Sequence, residues 1–314
     1  SWTGSPLCHK FMEEKGMKDT HELSEYFLEN ITEMLSKKGV KTSGWQEVAL
    51  HHSPEMNARI APRFAGVYCW STIGKRDVVP YTVANEGYDV ILCNVNNLYI
   101  DLAYNPHKDE PGLTWGGYVN EFTSFNILPY NIYCSARENT AGEKNNLKTA
   151  GKGKIQLTEQ SRPRIKGVQA QLFSETIGSF DMVQYYVFPK IFGLVERGWN
   201  AYPEWSPVPN DDKQALYEKA RAIYNAKIAE IELPRLAADG FNFRVAQPGI
   251  KIVEGKLYAN SPIPQAEIRY TTDGSEPTAT STLWEAPVDC SATVVKAKLF
   301  YLGKESLTTD YKND

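Results

Sequence analysis

The chain has 314 residues, 42% hydrophobic and 23% charged, with a net charge of −4, the balance of a globular protein with a sizeable core. An acidic balance gives no support to nucleic-acid binding, which needs a basic stripe, and no apolar run approaches the roughly 20 residues that cross a bilayer. Five scattered cysteines without a CxxC pair argue against a dense disulfide framework and, more strongly, against a zinc site, and the odd count leaves one thiol outside any intramolecular bridge. In chain order, Thr20 to Lys38 reads as an amphipathic helix with Leu23, Phe27, Ile31, Met34 and Leu35 on one stripe and Gly39 as its stop. Lys41 to Glu47 follows as a short buried strand. Gly66–Ser71, Tyr88–Val95 and Gly167–Ser174 are three more apolar runs of the kind that form parallel strands covered on both faces. Helical stretches at about Asp77–Asn85, Gly116–Phe125 and Ile177–Trp199 alternate with them, which predicts an α/β sheet with right-handed crossovers. Residues 137–163 are polar and rich in Gly, Lys and Asn, a surface excursion. Asp211 to Ala237 reads as a long polar helix whose buried stripe is Leu216, Ile223, Tyr224, Ile228 and Ile231. From about Gly240 the pattern turns β-rich, with Ala266–Thr272, Ser281–Trp284 and Thr293–Tyr301 punctuated by Asp273-Gly274 and Leu302-Gly303, a small β-sandwich in which Trp284 is core.

Four places put chemistry-bearing groups at the carboxyl end of a predicted strand, where barrels of alternating strands and helices bind ligands. Gly44-Trp45-Gln46-Glu47, taken alone, reads as a core Trp and a surface Glu, and Trp70 taken alone reads as packing. Tyr99 and Asp101 stand two apart in a segment that reads as extended, so both point to one side. A phenol donor beside a carboxylate can grip an amide carbonyl and a hydroxyl, or can be a satisfied loop pair. Phe173 and Glu175 repeat the spacing; a buried carboxylate there accepts charge-assisted hydrogen bonds from sugar hydroxyls, with helix capping by Ser174 or Glu175 as the rival reading. The surplus of 18 Tyr, 12 Phe and 7 Trp suits carbohydrate, whose C–H faces stack on flat side chains.

The order of these motifs, WQE, VYCW, LYID, then EPGLTW at Glu110–Trp115, GVQAQLFSE and LVERGW at Leu194–Trp199, resembles glycoside hydrolase family 20, the β-N-acetylhexosaminidases. The resemblance covers about residues 1–240 as the C-terminal half, about strands five to eight, of a (β/α)8 barrel; it implies that residues 241–314 are an appended immunoglobulin-like sandwich. It implies that Trp45 and Trp70 wall in the N-acetyl group and that Tyr99 holds the acetamide carbonyl oxygen. Asp101 then contacts sugar hydroxyls, Glu175 binds O4 and O6, and Trp115 lies on the aglycone side. Phe173 departs from the family, which usually has Trp there; it keeps a flat apolar face and loses an indole N–H.

The family's adjacent Asp-Glu pair precedes a Gly-x-Trp-x-x-Ser-Pro stretch, and this chain opens Ser1-Trp2-Thr3-Gly4-Ser5-Pro6. The expectation is therefore a processed or cut product that begins just after the pair, with Asp109-Glu110 in the wrong context to replace it. The implied reaction is retaining and substrate-assisted, outside the two-carboxylate scheme, with no metal or organic cofactor. The ligand is an oligosaccharide ending in N-acetylhexosamine, and by family analogy the protein is secreted or periplasmic. Lacking the acid, the chain alone is expected to be a very poor hydrolase; the alternative is a catalytically silent carbohydrate-binding or assembly module. Four strands cannot close a barrel, so the exposed edges are expected to be covered by the missing N-terminal half or by a second copy in a homodimer.

Overall fold

Ser5 and Asp19 start the first two helices by accepting hydrogen bonds from backbone N–H groups that have no partner within the helix, Ser5 from Cys8, and Asp19 from His21 and Glu22. The structure, a computed structural model, describes residues 2–312. Helices α1 (Pro6–Lys15) and α2 (Thr20–Ser36) lead into β1 (Thr42–Trp45), α3 (Pro54–Ile60), β2 (Phe64–Cys69), α4 (Val79–Asn85) and β3 (Val90–Leu92). A short α5 (Val95–Leu98), α6 (Glu121–Phe125) and the polar excursion follow before β4 (Ile165–Val168), α7 (Phe180–Val187) and α8 (Ile191–Trp199). All four strands are parallel, in the order β1-β2-β3-β4. Val67, Val90 and Leu92 in the sheet, with Ile60 and Tyr88 beneath it, are sealed from solvent. This is half of a parallel barrel, as the alternation of apolar runs and helices predicts.

Several elements depart from the sequence reading. The stretch Ile177–Trp199 is two helices, because Pro189 has no N–H to continue the first and restricts Phe188 before it. Gly116–Phe125 is helical only from Glu121, where Asn120 supplies the cap. Phe27 and Met34, placed on the buried stripe of α2, are exposed, while Leu23 and Thr32 are buried. Gly193 is where α8 crosses α6: a Cβ there would collide with Ser124 Oγ and the Phe125 backbone, so no larger residue permits this approach.

Helix α9 (Gln214–Lys227) runs through a π-turn (Ile228–Glu232) into α10 (Leu233–Ala238). Its buried side is Tyr217, Tyr224, Ile228 and Leu233, whereas Leu216, Ile223 and Ile231 face solvent, against expectation. Among the described residues eight antiparallel strands follow: β5 (Gly249–Val253), β6 (Lys256–Asn260), β7 (Glu267–Thr271), β8 (Thr282–Leu283), β9 (Val288–Asp289), β10 (Val294–Tyr301), β11 (Lys304–Glu305) and β12 (Thr309–Lys312). One sheet holds β11-β10-β7-β8 with β12 also on β10, and the other β5-β6-β9. Leu257, Val295 and Cys290 fill the space between them, with Trp284 packed against this cluster. The sandwich shares a core with the long helix, since Ile268, Ala297 and Leu299 pack with Tyr224, Ile228 and Phe243. Tyr301 Oη also donates to the Ala229 carbonyl at 2.7 Å.

Helix α2 packs on β1 and α8 on β4, the two open edges of the parallel sheet. Apolar side chains lie bare beside both. Leu7 is 80% exposed and Phe27 and Met34 lie near the first edge; Trp199 is 90% exposed, with Phe180 and Val195 near the second. Among the described residues no helix is long and apolar enough to cross a membrane.

Candidate active site

Each parallel strand delivers one part of a single hollow at its carboxyl end. Trp45 is the last residue of β1, and Trp70 follows β2 directly. Gln46, buried in the turn after β1, accepts hydrogen bonds from the backbone N–H groups of Trp70 and Ser71, both at 3.0 Å, so the first two strand ends are tied together. Tyr99 and Asp101 follow β3 and α5. They converge by a tight turn rather than an extended segment: Leu102 N donates to the Tyr99 carbonyl at 3.1 Å. That turn is hung between two neighbours. Tyr99 bridges Gln171 beyond β4, with Ile100 N bonded to the Gln171 carbonyl at 2.9 Å and Gln171 N to the Leu98 carbonyl at 2.8 Å. From α7–α8, buried Lys190 donates to the carbonyls of Ile100 at 2.8 Å and Leu102 at 2.6 Å, one on each side of Asp101.

The hollow has a volume of about 370 Å³. Its lining includes Trp45, Trp70, Tyr99, Asp101, Trp115, Phe173 and Glu175, every residue singled out from the sequence as a site candidate. Tyr99 and Asp101 are buried, while Trp45, Trp115 and Phe173 are partly open to solvent. Tyr99 is the centre of the aromatic cage: its ring lies 5.4 Å from Phe173, 5.9 Å from Trp115 and 6.4 Å from Trp70. Trp45 closes the other side of Phe173 at 6.5 Å. Two further lining residues, Glu47 and Leu113, were missed. Glu47, read as surface, accepts the Trp70 indole N–H at 3.1 Å and orients that ring. Trp45, whose isolated reading was core packing, is instead a pocket wall. A larger hollow of about 650 Å³, around Arg137, Asn145 and Tyr217, has none of the four strand-end groups.

The floor is electrostatically distinctive. Asp101 Oδ1 is buried with no hydrogen-bond partner, an expensive state for a carboxylate oxygen unless a ligand supplies the donor. Burial pushes the Asp101 carboxyl above its ordinary value, and the Glu175 charge adds to this against backbone hydrogen bonds and Lys190. Burial also raises the Tyr99 phenol, with Cys93 and Asp101 adding, so it stays a hydrogen-bond donor throughout the ordinary pH range. A donor and an acceptor under a flat apolar cage fit a ligand with C–H faces, an amide and hydroxyls. The chain's adjacent Asp-Glu pair lies elsewhere: Asp109 is exposed, and Glu110 is buried against Arg244 and Tyr185.

Residues 1–202 match the family model described as glycosyl hydrolase family 20, catalytic domain, and residues 232–306 match the chitobiase/beta-hexosaminidase C-terminal domain. The chain is 28% identical to N,N'-diacetylchitobiase of Vibrio harveyi over 86% of its own length and 31% of the relative's. It is 25% identical to a beta-hexosaminidase of Vibrio vulnificus, over 87% and 34% of the two chains. It thus spans about a third of the length of these relatives. Among solved structures, the GH20 exo beta-N-acetylglucosaminidase from Vibrio harveyi in complex with N-acetylglucosamine shares the fold. The TM-score is 0.52 at 23% identity, covering 77% of this chain and 30% of that one.

Proposed function

Because the chain belongs to glycosyl hydrolase family 20, we propose that it supplies the acetamide-holding half of a β-N-acetylhexosaminidase pocket, which acts on non-reducing terminal N-acetylhexosamine. The observation that carries this reading is the convergence of Tyr99 and Asp101 beneath Trp45, Trp70, Trp115 and Phe173 in one hollow. In the proposed reaction Trp45 and Trp70 enclose the acetamide, and the Tyr99 hydroxyl donates to its carbonyl oxygen. That oxygen bonds to the anomeric carbon as the glycosidic C–O bond breaks, and the leaving oxygen takes a proton from a general acid outside this chain. Water then opens the cyclic intermediate with retention. Tyr99 lowers the barrier by holding the attacking oxygen in line. Asp101 and Glu175 receive the sugar hydroxyls, and Trp115 flanks the leaving group.

Two measurements test the reading. On this chain, N-acetylglucosamine should change the fluorescence of the pocket tryptophans, and glucose, without the acetamide, should not; equal affinities would remove the acetamide role. On a polypeptide carrying both barrel halves, Tyr99→Phe should slow nitrophenol release from a β-N-acetylglucosaminide by about a hundredfold or more, the usual cost of losing an oxygen-stabilising donor. The chain by itself should release almost none. Substantial turnover by it would overturn the division of labour and the silent sugar-binding reading together.

The Asp101 shift fixes a pH dependence. A carboxylate accepts from hydroxyls only when ionised, so sugar affinity is present above the Asp101 value in the folded protein and is lost as pH falls through it. That value is raised by burial, so the loss should begin at a higher pH than for a free aspartate, whose value is about 3.9. Binding isotherms across the mildly acidic range should show this limb, and Asp101→Asn should abolish it. An unchanged limb in the variant would assign it to another group.

The open β1 and β4 edges and the bare apolar side chains beside them further support an assembly in which the complementary half-barrel or a second copy covers this face. Sedimentation should show the chain as a dimer or larger species, or as a complex once the other half is added. A well-dispersed, stable monomer indifferent to that half would count against it.

A further inference from the structure

Outside the sugar pocket, His21 and Glu25 stand one helical turn apart on α2, and His52 approaches them from the loop after Gln46–Ala49. We propose that these three side chains form a binding site for a zinc-class divalent cation, which clips α2 to the loop bearing one wall of the pocket. The ligand atoms already lie within 4.8 Å of one another. Glu25 Oε1 is 2.8 Å from His52 Nδ1 and 3.5 Å from His21 Nε2. A tetrahedral zinc with nitrogen and oxygen ligands at about 2.0–2.1 Å has ligand-to-ligand edges of roughly 3.3–3.4 Å. The Glu25–His21 edge therefore already has nearly this length, and metal binding there replaces the contact of His21 Nε2 with the His51 carbonyl at 3.1 Å.

His52 is the strongest part of the case. Its Nε2 faces the Val48 carbonyl at 3.0 Å while Nδ1 faces the Glu25 carboxylate. An imidazole with one N–H can satisfy only one of these acceptors, and the other nitrogen then opposes an oxygen lone pair. A proton or a cation on Nδ1 resolves the conflict, and either leaves Nε2–H on the backbone carbonyl, the outer contact that orients metal-bound histidines. The ring is held for this: its side chain is 5% exposed, whereas that of His21 is 47% exposed, leaving room for water as a fourth ligand. The expectation against zinc rested on the cysteines, which take no part here, and two histidines and a glutamate are an established zinc ligand set. None of the three lines the sugar hollow, so the ion would take no part in glycoside cleavage. Its effect would pass through Val48, next to Glu47, and so to the orientation of Trp70.

Zinc titrated calorimetrically into the full chain, in a buffer that does not chelate it, tests the proposal. One ion per chain should bind, and about 100 µM zinc should raise the thermal midpoint, as any ligand of the folded state does. His21→Ala removes a half-exposed side chain and leaves the fold intact; it should weaken binding at least roughly tenfold, as should Glu25→Gln, while Cys8→Ser should bind like the parent. Uptake that is absent in the parent, unchanged in both His21→Ala and Glu25→Gln, or lost only in Cys8→Ser overturns the proposal. A parallel Co²⁺ titration, read by its visible absorption, should lose its tetrahedral spectrum in the same two variants.

Discussion

Arg244→Ala should cost the fold about 3–5 kcal/mol, the penalty for leaving a buried charge without its partner. Arg244 donates to Glu110 Oε2 through Nε at 3.2 Å and Nη2 at 3.0 Å, and Tyr185 donates to Oε1 at 2.7 Å. The Glu110 side chain is fully buried and that of Arg244 is 6% exposed. Burial alone would pull the guanidinium down, but the Glu110 charge more than offsets it and Arg244 holds its proton more tightly than usual. Removing the arginine strands a carboxylate that water cannot reach. Replacing both partners, Arg244→Met with Glu110→Leu, should recover most of the loss, because the desolvation cost disappears with the charges. Urea unfolding read by fluorescence measures both, and an Arg244→Ala midpoint close to the parent's would sink the prediction. The pair reaches further than stability. Glu110 opens the loop that carries Trp115, while Arg244 lies between the long helix and the sandwich. The C-terminal module thereby anchors one wall of the strand-end hollow.

Lys190→Met should weaken N-acetylglucosamine binding by about tenfold or more in a protein that still folds, the scale of one hydrogen bond to the ligand lost at about 1.4 kcal/mol. The amine is sealed from solvent, lies 3.7 Å from the centre of the Tyr104 ring and holds the carbonyls of Ile100 and Leu102. Burial, with Arg244 adding, holds its pKa well below the ordinary lysine value; it remains a donor in either protonation state. Methionine fills similar volume but donates nothing, leaving two buried carbonyls without that partner at roughly 1–3 kcal/mol each. The turn that presents Tyr99 and Asp101 would then relax away from the hollow. Near-UV circular dichroism establishes that the variant is folded, and calorimetry with N-acetylglucosamine gives the affinity. Parent-like affinity in folded Lys190→Met would show that Gln171 alone suffices to hold the turn.

The site was more legible than the packing around it. Trp45, Trp70, Tyr99, Asp101, Trp115, Phe173 and Glu175 were recognisable because each stands in a short motif at or beyond a strand end, and parallel topology brings those ends together. Glu47 stood inside one of those motifs and was passed over, since nothing local distinguishes a rim carboxylate that orients an indole from a solvated one. The apolar runs likewise located the four parallel strands, although β4 is Ile165–Val168 and meets the run Gly167–Ser174 only at the run's first two residues. The β-rich Thr293–Tyr301 located the central strand of the sandwich, whose burial alternates along Val294–Tyr301. Tertiary structure alone decided which faces are covered. Leu216, Ile223 and Ile231 have the spacing of a buried stripe, yet the core takes the Tyr217–Tyr224–Ile228 face instead. Periodicity records where apolar groups lie on a helix, not which partner reaches them. The same holds for the buried charges. Glu110 meets Arg244 across 134 residues and Lys190 meets Ile100 across 90. A charged side chain is worth burying only where a distant segment supplies its counter-charge or carbonyls, and no local pattern encodes that meeting.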